Sequence, residues 1–109
     1  MSNKVYDEQG RVAVLFSPDY GAGWYTWNTK YPDMLFDPTV VNFVLTITDK
    51  VERTEKIGVY ATLKWPDAYL GGASDLRVEW LTPGSAFRIQ EYDGSESVET
   101  IGNVDWIIA

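Results

Sequence analysis

The chain has 109 residues, no cysteine, no histidine and a formal charge of -7. This length allows one domain, predicted to span residues 1–109. The missing Cys and His exclude disulfides, thiolate nucleophiles, imidazole acid–base catalysis and zinc sites built from thiolate or imidazole. We therefore expect a protein that binds rather than an enzyme, with no catalytic residue, metal or cofactor.

The negative charge is concentrated in the C-terminal part of the chain. Residues 65–109 contain eight acids and only two bases, Arg77 and Arg88. Direct binding to DNA or to an anionic membrane is not expected, because both need clustered Lys and Arg. The first ten residues are polar, and no apolar run approaches the roughly 20 residues that cross a bilayer. These patterns predict a cytoplasmic protein. Its acidic surface either binds a basic partner or keeps the protein in solution.

The first predicted elements are a strand and a loop. Residues 12–16, VAVLF, form a short apolar and β-branched run that predicts a strand buried on both faces. Residues 17–28, SPDYGAGWYTWN, contain a proline and two glycines, which predict a loop. This segment is called here the aromatic-Gly loop.

Two helices are predicted next. Asp37 and Pro38 are typical of a helix start, which predicts a helix over 38–50. Alternating apolar residues leave a strand as the alternative for residues 39–48. A second helix is predicted over 55–65, where Gly58 weakens it and Pro66 ends it.

Short strands are predicted for the last third of the chain. Their expected bounds are 76–81, 87–92, 97–101 and 104–108, with a hairpin turn at Asp93-Gly94. The order of strand, loop, helices and strands predicts an α+β domain with an N-terminal strand, an aromatic-Gly loop, one or two helices and C-terminal antiparallel strands.

The aromatic-Gly loop is the first candidate binding site. Small residues let a backbone approach a ligand, and flat rings beside them can stack on a planar group such as a nucleobase. In the alternative interpretation, Trp24 and Trp27 fill the core instead. The predicted ligand-binding residues are Tyr20, Gly21, Gly23, Trp24, Tyr25, Trp27 and Asn28, with Arg77 and Arg88 offsetting phosphate charge.

An acidic hairpin is the second candidate site. Its carboxylates could present an acidic face to a basic protein, hold a divalent cation or act as a hydrolytic pair. They could also be solvated charges that keep a strand edge from pairing. The residues of this acidic face are Glu91, Asp93, Glu96 and Glu99.

One segment resembles a known family. Residues 14–28, VLFSPDYGAGWYTWN, resemble the opening of a family of small phage proteins in which an apolar strand enters a SPxYGAGWxTWN loop. Residues 36–38, 66–73 (PDAYLGGA) and 87–97 (FRIQEYDGSES) resemble later segments of that family. The chain departs from the pattern at Tyr25, where a small residue is expected, and over residues 48–58, which are more charged. The resemblance implies a phage origin and hence the host cytoplasm.

A phage origin implies action against host defence, and two hypotheses suit these residues. The first is a sponge that sequesters a small nucleotide-like signalling molecule through the aromatic-Gly loop, enclosed in a homo-oligomer. The second is an acidic inhibitor that mimics nucleic acid and blocks a basic host protein. A carboxylate-dependent hydrolase is a further alternative.

Overall fold

We describe the fold from a computed structural model, which describes residues 4–19 and 23–100. Within them, the order is β1 (Val12–Phe16), α1 (Pro38–Thr46), α2 (Lys50–Lys64), β2 (Arg77–Leu81), β3 (Phe87–Tyr92) and β4 (Ser95–Thr100). Short 3-10 turns occupy Pro32–Leu35 and Gly71–Asp75. The predicted α+β class is confirmed, with its N-terminal strand, two helices and C-terminal antiparallel strands.

The strands form two antiparallel pairs that meet at one end. β1 pairs with β2, so that Val14 lies opposite Glu79. β3 pairs with β4 through the predicted turn, in which Asp93 and Gly94 both adopt positive φ. The N–H of Glu96 donates to the carbonyl oxygen of Ser17 at 2.7 Å. This bond joins the start of β4 to the end of β1, where the aromatic-Gly loop begins.

The first helix forms because Asp37 caps it. Its carboxylate accepts from the N–H groups of Thr39 and Val40, and Pro38 occupies the first helical position. The strand alternative for residues 39–48 is therefore wrong. The helix ends at Thr46 rather than at the predicted residue 50, because Ile47 adopts an extended conformation.

The second helix begins earlier than predicted. Asp49 accepts a hydrogen bond from the N–H of Glu52, and this cap starts α2 at Lys50 instead of residue 55. The helix ends at Lys64, one residue before its predicted end at Trp65, and Pro66 follows directly after Trp65. The charged 50–55 segment therefore adds a solvent-facing turn to the helix, which apolar spacing alone did not indicate.

The core surrounds β1, whose two faces are both buried as predicted. Leu15 contributes to the main cluster and Val14 to a smaller one with Leu35 and Leu81. The main cluster also contains Ala13, Trp24, Met34, Val40, Val41, Ile57, Ala61, Trp65, Ala73 and Leu76. Residues from every segment between β1 and β2 thus pack together, and this core holds the aromatic-Gly loop against the sheet.

The C-terminal strands follow their predicted alternation. The expected 87–92 strand has the observed bounds, whereas β4 begins at Ser95, two residues before its predicted start, because the turn is only two residues long. Arg77 and Arg88 are exposed, away from the apolar face, as predicted. The strand predicted at 104–108 lies outside the described residues. In the described ranges, neither helix is long and apolar enough to span a membrane.

The buried cap residue Asp37 is expected to matter more than its exposed counterpart Asp49. One Asp37 oxygen caps α1, and the other accepts from the Tyr60 hydroxyl at 2.8 Å and from Lys64 Nζ at 2.5 Å. This hydrogen bond from Lys64 to Asp37 also raises the pKa of Lys64. Asp37→Ala should lower the free energy of unfolding by about 3 kcal/mol, because a helix cap is lost together with the hydrogen bonds and ion pair of a buried carboxylate.

Asp49→Ala is the matched control, since it removes one exposed capping bond and should cost about 1 kcal/mol. Urea denaturation of both variants measures the difference. Equal losses would contradict the role given to the buried oxygen of Asp37.

Candidate functional site

The Glu96 side chain holds the aromatic-Gly loop in place through hydrogen bonds to the loop backbone. It is 1% exposed. One carboxylate oxygen accepts from the N–H of Ser17 at 2.8 Å. The other accepts from the N–H groups of Trp24 and Thr26, at 2.9 and 2.8 Å, and from the Thr26 hydroxyl at 2.7 Å. Four neutral donors thus surround the carboxylate, and hydrogen bonds to an ionised acceptor are among the strongest in proteins.

This position corrects the predicted acidic face. Glu96 points into the molecule because β4 meets β1 edge to edge at Ser17. Glu91 accepts from the N–H of Gly94 within the turn, and Glu99 pairs with Arg88 at 3.1 Å. Only Glu91, Asp93 and the half-buried Glu99 remain at the surface. Among the described residues, no group of three or more Asp or Glu side chains could hold a metal ion.

Asn28 connects the loop to the segment before the second 3-10 turn. Its side-chain N–H₂ group donates to the carbonyls of Trp24 and Tyr69, at 2.7 and 2.8 Å. Its side-chain oxygen accepts from the N–H of Tyr69 at 2.7 Å. The predicted ligand role of Asn28 is therefore replaced by a structural one: the amide is buried, and its hydrogen-bonding groups are used within the chain.

Trp24 belongs to the core and does not form part of an exposed stacking surface, as the alternative interpretation of the loop predicted for this residue. Its ring is fully buried, its indole N–H donates to the carbonyl of Met34 at 2.8 Å, and its ring meets the Trp65 ring edge-on at 6.0 Å. Tyr25 is half-buried and packs against the core clusters. Of the predicted ligand-binding residues, Tyr20 and Gly21 lie outside the described residues.

Trp27 and Tyr69 form an exposed aromatic pair, called here the ring pair. Their ring centroids lie 4.9 Å apart with the planes tilted by 42°. Trp27 is 41% exposed and Tyr69 is 48% exposed. Sequence reasoning included Trp27 but missed Tyr69, although the glycines that follow Tyr69 could have indicated a close approach of two backbones.

Three glycines, Gly23, Gly71 and Gly72, allow the two backbone segments that carry the ring pair to approach each other closely. A Cβ on Gly23 would lie 2.9 Å from Cδ1 of Trp27, and a Cβ on Gly71 would lie 2.5 Å from Cε2 of Tyr69. A Cβ on Gly72 would lie 2.6 Å from the carbonyl oxygen of Gly23. The absence of side chains at these positions therefore lets the two backbones touch and both rings lie over them.

A charged cluster lies on the same two segments as the ring pair. Lys30, three residues after Trp27, forms an ion pair with Asp67, two residues before Tyr69. The Tyr31 hydroxyl also donates to Asp67. The hydrogen bond from Lys30 lowers the pKa of Asp67, and the same bond raises the pKa of Lys30. Lys30 is thus a cation on the segment that also carries Trp27, and sequence reasoning missed it.

The two arginines predicted to bind phosphate lie on strands β2 and β3. Arg88 pairs with Glu99 across the β3–β4 hairpin. A hydrogen bond with Asp75 raises the pKa of Asp19, and the positive charge of Arg77 opposes that shift. Both arginines therefore interact electrostatically with acids of the chain.

Comparisons of the chain with protein-family models, with curated proteins and with solved structures find no match.

The Glu96 anchor generates a stability prediction. Glu96→Gln keeps the size of the side chain but turns an acceptor into a donor that faces other donors. We expect the free energy of unfolding to fall by about 3 kcal/mol, because buried N–H groups lose their acceptor. Chemical denaturation followed by tryptophan fluorescence measures this loss.

Glu99→Gln is the matched control on the same strand. Its exposed pair with Arg88 is worth less than about 1 kcal/mol. If the two variants were equally stable, Glu96 would not anchor the loop.

Proposed function

We propose that this protein is a non-enzymatic binding protein that sequesters a nucleotide-derived signalling molecule, with the base stacked on the ring pair. The observation that carries the proposal is the exposure of two adjacent rings whose backbones are held by buried polar side chains. Glu96 holds the segment that carries Trp27, and Asn28 joins that segment to the one that carries Tyr69. Both segments are therefore in place before a ligand binds. A preformed site loses less conformational entropy on binding than a mobile one.

The ring pair suits a planar base better than an extended partner. Stacking of a base on an aromatic side chain contributes about 1–3 kcal/mol and is tolerant of base identity. Centroids 4.9 Å apart leave no room for a base between the two rings, so in our proposal the base stacks on their exposed outer faces. Stacking therefore supplies a binding mode that needs neither a metal nor a catalytic group.

Phosphate groups of such a ligand need a cation, because the chain carries a net charge of -7. In our proposal Lys30 supplies it, in place of the predicted Arg77 and Arg88. Asp67 already holds Lys30, so an anionic ligand competes with that carboxylate. The net charge of -7, rather than this competition, disfavours highly phosphorylated ligands.

The resemblance to phage proteins supplies the biological setting of the proposal. In that setting the protein acts in the host cytoplasm, removes a signal made by a defence enzyme, and encloses the ligand in a homo-oligomer. The alternative of an acidic inhibitor has weaker support, because Glu96 is internal and Glu99 is paired with Arg88.

Removing either ring should weaken ligand binding without unfolding the protein. We expect calorimetric titration with cyclic dinucleotides and cyclic ADP-ribose relatives to show micromolar binding by the native chain. Trp27→Ala and Tyr69→Ala should each weaken that binding by about five- to 150-fold, since one stacking contact is worth about 1–3 kcal/mol. Tyr92→Ala, at a ring that is 77% exposed on β3, is the control and should bind normally.

Asp67→Asn tests the role of Lys30 separately. Release of Lys30 should strengthen binding of phosphorylated ligands and leave binding of an unphosphorylated nucleoside unchanged. If none of these ligands binds the native chain at micromolar concentration, the sponge proposal fails.

A further inference from the structure

The outer face of α2 exposes a row of apolar side chains, called here the α2 ridge. Val51, Val59 and Leu63 are 74%, 62% and 81% exposed. Together with Glu55 they follow one another at intervals of four residues, which places the four side chains on one side of the helix. Monomeric proteins rarely leave contiguous apolar surface in water, and such surface commonly marks an interaction site. The α2 ridge therefore indicates a protein interface.

Two grooves flank the α2 ridge. One, of about 530 Å³, is lined by the ridge together with Phe43 of α1 and Tyr60. The other, of about 490 Å³, is lined by Gly58 and Thr62, which lie on the opposite side of the ridge. Helices pack by placing the ridge of one into the groove of the next. Because the ridge and its grooves lie side by side on one face, two identical faces can fill each other.

Gly58 opens the second groove. A Cβ built on it meets no atom within 4 Å, so the described residues leave room for a side chain there. Glycine is nevertheless less favourable than alanine inside a helix. Without a side chain at this position, another helix can approach the backbone of α2 closely. The glycine thus suits a packed helix better than an exposed one.

The charges on the outer face of α2 are of both signs. The helix contains four bases and two acids, in a chain whose net charge is -7. The bases bonded to groups of the same chain are Lys50, Arg53 and Lys64. The fourth base, Lys56, lies along the first groove with Glu52 and Glu55. Among the described residues, none of these three side chains has an ion-pair partner. A partner that carries both signs therefore fits this face better than a purely acidic or a purely basic one.

We propose that the chain forms a homodimer in which the α2 ridge of each copy lies in a groove of the other. A two-fold axis makes such an interface self-complementary, so that every contact occurs twice. Lys56 of each copy then faces the acids of the other copy, Glu52 and Glu55, and ion pairs border the apolar centre on both copies. A second copy thus supplies the apolar side chains and both charge signs that this face requires.

The dimer gives an interface to the homo-oligomer of the proposed function, but it does not rest on ligand binding at the ring pair. One helix from each copy covers less surface than a standard protein interface. We therefore expect a dissociation constant in the micromolar range. The equilibrium between monomer and dimer is a property of the ligand-free protein, so its test needs no ligand.

Sedimentation velocity of the ligand-free native chain, from low micromolar to near-millimolar concentration, tests the dimer. We expect a reversible equilibrium between monomer and dimer. Leu63→Asp should weaken it at least about tenfold, because an unpaired charge enters the apolar centre from both copies. Tyr92→Asp adds the same charge at an exposed ring on β3 and should dimerise like the native chain. A native chain that stays monomeric throughout, or an unchanged equilibrium in Leu63→Asp, overturns the proposal.

Charge reversal tests whether the occupant is a second copy. Lys56→Glu and the double variant Glu52→Lys/Glu55→Lys should each dimerise several-fold more weakly than the native chain, because like charges then meet across the axis. An equal mixture of the two should associate at least as strongly as the native chain. Glu8→Lys/Glu79→Lys makes the same charge change at exposed positions outside α2 and should dimerise at least as strongly as the native chain. A mixture that does not recover association contradicts the homodimer.

Discussion

The structure around the candidate site depends on one buried carboxylate. Glu96 reaches from β4 to the backbone at Ser17, Trp24 and Thr26, so three points of the aromatic-Gly loop share one anchor. Its own N–H also donates to the carbonyl of Ser17. The burial of a charge is costly unless hydrogen bonds compensate it. Here the donors are backbone N–H groups that would themselves need acceptors in this irregular loop.

The anchor divides the aromatic residues of the loop between two roles. Trp24 turns into the core and packs against Trp65, whereas Trp27 remains at the surface beside Tyr69. Asn28 connects the two segments that carry the exposed rings. Because Gly23, Gly71 and Gly72 lack a Cβ, those segments meet backbone to backbone. One short stretch of sequence thus supplies a core ring, Trp24, and one ring of the exposed pair, Trp27.

The ring pair and the outer face of α2 have different chemistry. The backbone under the ring pair is held by buried polar side chains, and Lys30 and Asp67 lie on the same two segments. The outer face of α2 exposes the apolar side chains of Val59 and Leu63. Because the two surfaces lie on different elements, one can be altered by mutation while the other is preserved.

The sequence by itself determined the elements whose signals are local. Asp37 with Pro38 indicated a helix, Asp93-Gly94 indicated a hairpin, and the apolar run at 12–16 indicated a doubly buried strand. Each of these depends on neighbouring residues along the chain, through capping, positive φ or burial on both faces. The start of α2 was misplaced because the Asp49 cap precedes a charged segment with little apolar periodicity.

Only the tertiary structure decided which polar and aromatic residues face inward. Glu96 and Glu99 point to opposite faces of one strand, and only the packing decides that Glu96 is buried under the loop while Glu99 pairs with Arg88 at the surface. Trp24 and Trp27 separate in the same way. The contacts that decide these positions join residues far apart in the chain: 41 residues separate Asn28 from Tyr69, and 70 to 79 separate the loop from Glu96. Composition and spacing contain no record of such pairings, because they arise only when distant segments pack together in the folded chain.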